Sequence, residues 1–346
     1  SAEITGSLGV TGSVSFSTEL VTVGPGAWSN GGGMSEYRHG LGGAGTQTAA
    51  LAFGGNYYDP VTCTEEYNGS SWSTQNALSQ ARECLAGAGT QTAALAFGGY
   101  SGYPTYQTLS CTEEYDGTNW SAGGALNNAR YCLAGAGTQT AGLAFGGDSS
   151  DSYCTEEYNG STNTWSNEAS LSTPRSFPGG AGTQTAALAI SGYDYYDASD
   201  YVSVTEEYNG ASWSAGGNIS TPRSSMGAAG IQNAALAFGG EDDGYPGLSC
   251  TEEYNGATWE SGGALSNANY ELAGAGTQTA GLSFGGYQYR AEEYSPTITQ
   301  LLTKTFDYSE STGDTTATGS FKGTLDGLAT SASYALTSSY AHTASY

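Results

Sequence analysis

The stretch GAGTQTAALAFGG at residues 43–55 returns nearly letter for letter at Gly87–Gly99, Gly135–Gly147, Gly180–Gly192, Gly227–Gly240 and Gly274–Gly286. The threonine of its TQ pair falls at Thr46, Thr90, Thr138, Thr183 and Thr277, with Ile231 in its place once. From copy to copy the spacings are 44, 48, 45, 48 and 46 residues. A period in the forties builds an array of one supersecondary unit, and units of that length are usually propeller blades or helical repeats. Taken singly, the glycines would read as a loop cradling a dinucleotide phosphate. That fingerprint occurs once, opens a helix and has an acidic residue about 20 positions on. Six copies with no helical pattern after any of them exclude it.

Each repeat carries four strand signals in one order. A small-residue strand such as LAGAG (85–89) runs into the TQ turn, and an apolar run, TAALAFGG (92–99), ends in a glycine pair. TEEY follows, at Thr64–Tyr67, Thr112–Tyr115, Thr155–Tyr158, Thr205–Tyr208 and Thr251–Tyr254, with AEEY at Ala291–Tyr294. In five of the six repeats Asn-Gly or Asp-Gly comes next, a strong hairpin signal. The fourth strand opens on Trp72, Trp120, Trp165, Trp213 or Trp259. Four antiparallel strands per repeat predict an all-β fold. The glycine-rich first strand suits the crowded hub of a radial array, and tyrosine and tryptophan suit the wider wedge between blades. The sixth TEEY-type strand has no tryptophan strand after it, whereas Ala27-Trp28-Ser29 precedes the first glycine motif. The N-terminal strand is therefore expected to complete the last blade and close a ring of six.

Charge keeps the same period. Arg38, Arg82, Arg130, Arg175 and Arg223 each lie eight residues before the TQ position, and Asn269 fills the sixth slot. The paired glutamates begin at Glu65, Glu113, Glu156, Glu206, Glu252 and Glu292. A planar guanidinium in phase with carboxylates reads as a structural ion pair within or between blades. The six cysteines also recur at fixed places: Cys63, Cys111, Cys154 and Cys250 before TEEY, Cys84 and Cys132 before the glycine motif. Local pairing of Cys84 with Cys111 and of Cys132 with Cys154 stands against buried free thiols, because an intervening strand would separate the partners.

The glycine pair, TEEY and the following tryptophan, with an arginine leading the next unit, resemble the kelch repeat of six-bladed β-propellers. The resemblance covers roughly residues 27–299 and implies four-stranded blades about a central channel. The AGAGTQ inner strand is less bulky than the usual kelch one.

Outside that span the texture changes. In ITGSLGVTGSVSF (4–16) apolar residues fall on even positions and Ser or Thr dominates the odd ones. The C-terminus parses into the hexads ATSASY, ALTSSY and AHTASY (329–346). Strict alternation is a strand signal, and a lone strand cannot bury its apolar face, so intertwined association of several chains is expected. These flanks are similar to the TGS-rich and ASYA-rich shaft segments of fibre-like virion proteins of tailed bacteriophages. That resemblance implies a homotrimeric fibre on the particle surface, with residues 1–26 and 300–346 as extended association segments and the propeller (27–299) carried between them.

With 8 Lys+Arg against 33 Asp+Glu, the formal charge is −25. Such a surface repels nucleic acid and anionic membranes, and no apolar run approaches the roughly 18 residues of a membrane span. Neither nucleic-acid binding nor membrane insertion is expected. Only two histidines occur, His39 and His342, which disfavours a Ser-His-Asp triad and histidine-rich metal sites. The six EE pairs repeat where a catalytic carboxylate pair would break symmetry. A non-enzymatic role is expected.

Variation concentrates between the glycine pair and TEEY. These segments contain Tyr57, Tyr58 and Asp59; Tyr100, Tyr103 and Tyr106; Tyr193, Asp194, Tyr195, Tyr196 and Asp197; Tyr245; and Tyr287 and Tyr289. Thirteen of the 26 tyrosines lie there, and all six segments are expected to leave one rim. Tyrosine gives rigid, flat contact area with a hydroxyl, and beside carboxylates it suits sugar rings. A host-surface glycan is the expected ligand. Asp194, Asp197 and Asp200, or Glu241, Asp242 and Asp243, offer oxygen ligands for Ca²⁺ without matching a defined loop pattern; no other cofactor is expected. The rival readings are a decorating protein whose loops pack on other virion proteins, and a secreted bacterial carbohydrate-binding adhesin.

Overall fold

The computed structural model describes residues 17–22, 26–148, 152–195, 201–244, 247–288, 290–295 and 299–304. The chain divides into two compact units, Gly26–Pro296 and a second made of Ser1–Pro25 with Thr297–Tyr346. In the second, Ser17–Thr22 pairs antiparallel with Thr299–Lys304, in register from Ser17 opposite Lys304 to Thr22 opposite Thr299. The alternating residues 4–16 and the hexads at 329–346 lie outside the described residues.

Gly26–Pro296 is a six-bladed β-propeller, each blade a four-stranded antiparallel sheet. Blade 1 runs Gly42–Thr46, Ala49–Phe53, Thr64–Tyr67 and Trp72–Gln75 from hub to rim. Blades 2 to 5 repeat that order. Blade 6 takes Leu272–Thr277, Ala280–Gly285 and Arg290–Ser295 from the C-terminal side and Ala27–Gly33 from the N-terminal side. Trp28 sits opposite Tyr294 in that last pairing, so the first propeller strand closes the ring.

Turn chemistry explains the hairpins. Asn68 Oδ1 accepts from the backbone N–H groups of Ser70 and Ser71, both at 3.0 Å, while Gly69 takes φ +88°. Asp116 does the same for Thr118 and Asn119. A short polar side chain capping its own turn is what an Asx turn requires. At the hub, a Cβ on Gly87 would lie 2.5 Å from the Gly43 carbonyl oxygen of the preceding blade. Inner strands thus approach to backbone contact, which a side chain would prevent.

The second strand alternates small and large residues because it is buried on both faces. Leu51 and Phe53 press on Ala94 and Ala96 of blade 2, and Ala50 and Ala52 receive Leu282 and Phe284 of blade 6. Six such clusters fill the six wedges, each completed by the next blade's tyrosine and tryptophan. Three polar stitches cross five of the wedges, and the wedge between blades 6 and 1 lacks the third, because Ala291 stands where the other blades have the threonine. The TQ glutamine donates to two carbonyls of the preceding blade, as Gln91 does to Ala50 at 3.0 Å and Tyr67 at 2.6 Å. The TEEY tyrosine donates to the second glutamate of the preceding blade, Tyr115 to Glu66 at 3.1 Å. The tryptophan N–H donates to the preceding TEEY threonine, Trp120 to Thr64 at 3.0 Å. Gln47 repeats the first stitch across the closure, donating to Tyr294 at 2.8 Å.

The in-phase arginines are buried inside their own blades. Arg38 Nη2 meets Glu65 at 3.0 Å, Arg82 meets Glu113 at 2.7 Å, Arg130 meets Glu156 at 3.0 Å and Arg223 meets Glu252 at 3.3 Å. Arg175 pairs with Glu206 in the same way. Arg38 Nη1 also donates to the carbonyls of Gly54 and Cys63, tying the start of the variable segment to its end. Burial pushes the Arg38 guanidinium down and Glu65 opposes it. In blade 6 Asn269 Nδ2 holds the glycine-pair carbonyl of Gly285 at 2.9 Å, and Glu292 accepts from Ser266 N–H at 2.9 Å.

The cysteines are free thiols. Cys111 Sγ lies 3.0 Å from Arg82 Nη1, whereas Cys84 hydrogen-bonds through its backbone to Gly40 and Cys132. Cys84 and Cys111 thus serve different parts of the blade, and the pairing weighed from the sequence is not formed.

Candidate functional site

The glycine pairs send all six variable segments to the rim where the inner strands begin. There five of the six pre-strand segments are pinned to the first variable residue, through bridges joining His39 to Asn56, Glu83 to Tyr100, Tyr131 to Asp148, Ser176 to Tyr193 and Ser224 to Glu241. The face therefore has two rows of side chains, the variable segments and the residues just after each in-phase arginine.

Inside both rows a backbone ring closes the channel mouth. Gly40 N–H donates to Glu271 at 2.9 Å, Glu271 to Ser225 at 2.8 Å and Ser225 to Phe177 at 3.1 Å. Phe177 donates to Cys132 at 2.8 Å, Cys132 to Cys84 at 2.7 Å and Cys84 back to Gly40 at 2.7 Å. All six residues have φ between +50° and +60°, five of them non-glycine. A left-handed conformation costs a non-glycine residue roughly 1–2 kcal/mol. The ring bonds offset that cost by pairing backbone groups that would otherwise face the narrow mouth.

Aromatic side chains gather on the face in three groups. At blades 6 and 1, Tyr287 stacks on Tyr270 (centroids 4.2 Å apart) and on His39 (4.5 Å), and Tyr37 meets Tyr57 edge-on at 5.6 Å. His39 Nδ1 lies 2.5 Å from Glu271 Oε2. At blades 2 and 3, Tyr100 packs on Tyr131 at 5.4 Å and Tyr103 on Tyr106 at 6.0 Å. At blade 4, Tyr193 contacts Tyr195 at 4.6 Å and Tyr201 at 5.2 Å. The large apolar side chains exposed among the described residues are Tyr57, Tyr58, Tyr103, Tyr106, Tyr153, Tyr195, Tyr287 and one residue away from this face, Ile231 in a TQ turn.

Carboxylates surround these rings. Glu83 accepts from Asn56 Nδ2 at 2.6 Å, Asp148 from the Tyr131 hydroxyl at 2.5 Å and Glu241 from Ser225 Oγ at 2.9 Å. Burial pushes the Glu83 and Glu241 carboxyls up, and in each the nearby Glu271 adds to the rise. Burial and the adjacent acids Glu241 and Asp243 push the Tyr201 hydroxyl up to about 12.

Of the tyrosines and acids picked from the sequence, Tyr57, Tyr58, Asp59, Tyr103, Tyr106, Tyr195 and Tyr287 are exposed, and Tyr100 and Tyr193 are half-buried. Asp194 is 6% exposed and belongs to a cavity wall rather than to an open loop. Tyr196, Asp197, Asp200, Tyr245 and Tyr289 lie outside the described residues. Among the described residues no three His, Cys, Asp or Glu side chains are grouped to hold a metal. Glu241 is turned to Ser225, and Asp242 Oδ1 caps the Gly244 N–H at 2.8 Å, so these two acids of the run serve local structure. Sequence reasoning missed Tyr37, His39, Tyr131, Tyr270, Glu83 and Glu271. The available signal was position: the residue after each in-phase arginine or Asn269 reads His, Glu, Tyr, Ser, Ser and Tyr, variable beside a repeated framework.

No family model matches the sequence, and no curated protein matches it. Among solved structures, the one titled "Structure of YjhT" aligns with a TM-score of 0.61 at 13% identity, covering 78% of this chain and 96% of that one. The likeness is one of fold.

Proposed function

We propose that the chain is a non-enzymatic fibre protein of a tailed-bacteriophage virion that displays a kelch-like propeller for attachment to host-surface glycan. The observation that carries the attachment reading is the concentration of exposed aromatic area on one face. Seven of the eight large apolar side chains exposed among the described residues are tyrosines of the variable segments. A monomer's surface rarely gathers large apolar side chains without a partner for them. Tyrosine faces beside carboxylates match the apolar ring faces and hydroxyl donors of a sugar. The virion context, a homotrimer joined through the terminal segments and neighbouring virion proteins all rest on the resemblance of the flanks to fibre shafts.

Two measurements test the proposal. The full chain on an array of bacterial surface polysaccharides is expected to bind at least one class, and to lose binding when Tyr58, Tyr103 and Tyr106 are changed together to alanine. Silence across the array would remove the attachment reading. Mass spectrometry of purified phage particles is expected to find the chain; its absence there, with secretion from bacteria, would favour the adhesin.

A further inference from the structure

Between blades 3 and 4 the loop face opens into a cavity of about 150 Å³, lined by Asp148, Ser152, Pro174, Tyr193, Asp194 and Tyr195. Ser152 Oγ is buried there with no hydrogen-bond partner, and the residue is only 5% exposed. A buried hydroxyl without a partner is an uncompensated desolvation, and native structures keep few of them without reason. We infer that this cavity is a subsite for one neutral pyranose ring. The inference rests on the glycan-attachment reading and deepens it.

Size, polarity and charge each narrow the occupant. At about 150 Å³ the cavity has room for one sugar residue at most. Its lining is mixed, with a proline and two tyrosine rings for the ring's C–H faces and two carboxylates and a hydroxyl for its O–H groups. Arg175 also lines the cavity, but its guanidinium is committed to blade 4: Nη1 donates to Val204 at 2.8 Å and Ser191 at 3.2 Å, Nε to Thr173 at 3.2 Å, and Nη2 to Glu206. Its charge is thus already met by Glu206, and Asp148 and Asp194 repel acidic sugars. A metal ion is disfavoured because no group of three ligating side chains occurs among the described residues. Tyr195 in its wall is 56% exposed, so a sugar stacked on that ring keeps one side toward solvent.

The test is calorimetric titration of the full chain with the methyl glycosides of glucose, galactose and mannose. One of them is expected to bind at a single site. Ser152→Ala is expected to weaken it about three- to tenfold, the worth of one hydrogen bond, without lowering Tm, because the hydroxyl has no partner to lose. Tyr195→Ala is expected to weaken it on the order of tenfold by removing a stacking face, while Ile231→Ala, exposed in a TQ turn away from this face, leaves it unchanged. Glycoside binding untouched by both Ser152→Ala and Tyr195→Ala would overturn this subsite and leave the attachment reading standing. Binding of Ca²⁺ alone, or of acidic sugars in preference to neutral ones, would overturn it as well. Failure of every glycoside together with a silent polysaccharide array would remove both readings.

Discussion

The Tyr67 hydroxyl donates to Glu293 Oε1 at 2.7 Å across 226 residues of sequence. It is the same bond that Tyr208 makes to Glu157 at 3.0 Å and Tyr254 to Glu207 at 2.7 Å between consecutive blades, here joining the first blade to the last. The hydroxyl also reaches the Gly31 carbonyl on the closing strand. Tyr67→Phe therefore removes one hydroxyl proton shared between the Glu293 carboxylate and the Gly31 carbonyl of the closing strand. A hydrogen bond to a charged group contributes about 1.5–3 kcal/mol, and a loss of roughly that size is expected in denaturant unfolding. Tyr208→Phe, which does not touch the closure, is expected to cost less. Equal losses would show that ring closure adds nothing beyond an ordinary blade contact.

Gly87→Ala tests the hub. Gly87 lies outside the positive-φ region, so the penalty is purely steric: the new Cβ would lie 2.5 Å from Gly43 O and 2.6 Å from Phe53 Cζ. The backbone oxygen cannot rotate away, and overpacking of this kind costs about 1–3 kcal/mol. Blade 5 already carries Ala228 on its inner strand, and Gly274 is the residue that would clash with its carbonyl, at 2.3 Å. A thermal scan of Gly87→Ala should show a clear drop in Tm; an unchanged Tm would mean that the hub can widen as a whole.

Ala291→Thr is expected to stabilise. Five tryptophans donate to a TEEY threonine of the preceding blade, but Trp72 faces Ala291, and its Nε1 is buried without a partner. Supplying the hydroxyl should add about 0.5–1.5 kcal/mol. Met34 packs in the same cluster as Ala291 and is the residue that must yield space. If Ala291→Thr lowers Tm, Met34 has taken the threonine's volume and the orphan N–H is the cost of that packing.

Blade number, strand order and closure were legible because each depends on spacing and residue type alone. Trp28 stranded before the first repeat and Tyr294 with no tryptophan after it can be satisfied only together. The two glutamates of TEEY were not separable in the same way. Along a strand successive side chains point to opposite faces, so Glu65 turns to Arg38 within its blade while Glu66 accepts from Tyr115 of the next. The TQ pair read as a turn, and its glutamine's second role as a stitch to the preceding blade needs the distance between blades. At the candidate site, the variable tyrosines could be placed on one rim from the repeat. The pre-strand row with His39 and Tyr270 was marked only by its variable position after each in-phase arginine or Asn269, and the cavity with the orphaned Ser152 hydroxyl arises from pairing between segments and has no local pattern.

The acidic mouth gives a pH dependence of definite sign. Burial first, and Glu271 in addition, push the Glu83 and Glu241 carboxyls above the ordinary range, with the bonds from Asn56 and Ser225 opposing. In the unfolded chain both titrate near the ordinary glutamate value of about 4.3. Between that value and the raised folded ones, the native state binds more protons than the unfolded state, so stability falls as pH rises through the window. The contribution is present in full below about pH 4.3 and is lost as pH passes the folded values. The double variant Glu83→Gln with Glu241→Gln keeps an acceptor for Asn56 and Ser225 but cannot ionise. Calorimetric Tm measured from about pH 4 to about pH 8 for both proteins isolates the pair, since every other carboxylate enters both curves. The difference is expected to grow in favour of the variant as pH rises, and to level off once both glutamates of the wild type are ionised. A constant difference would mean that the two carboxyls ionise alike in the folded and unfolded chain, and that the mouth is more hydrated than its burial implies.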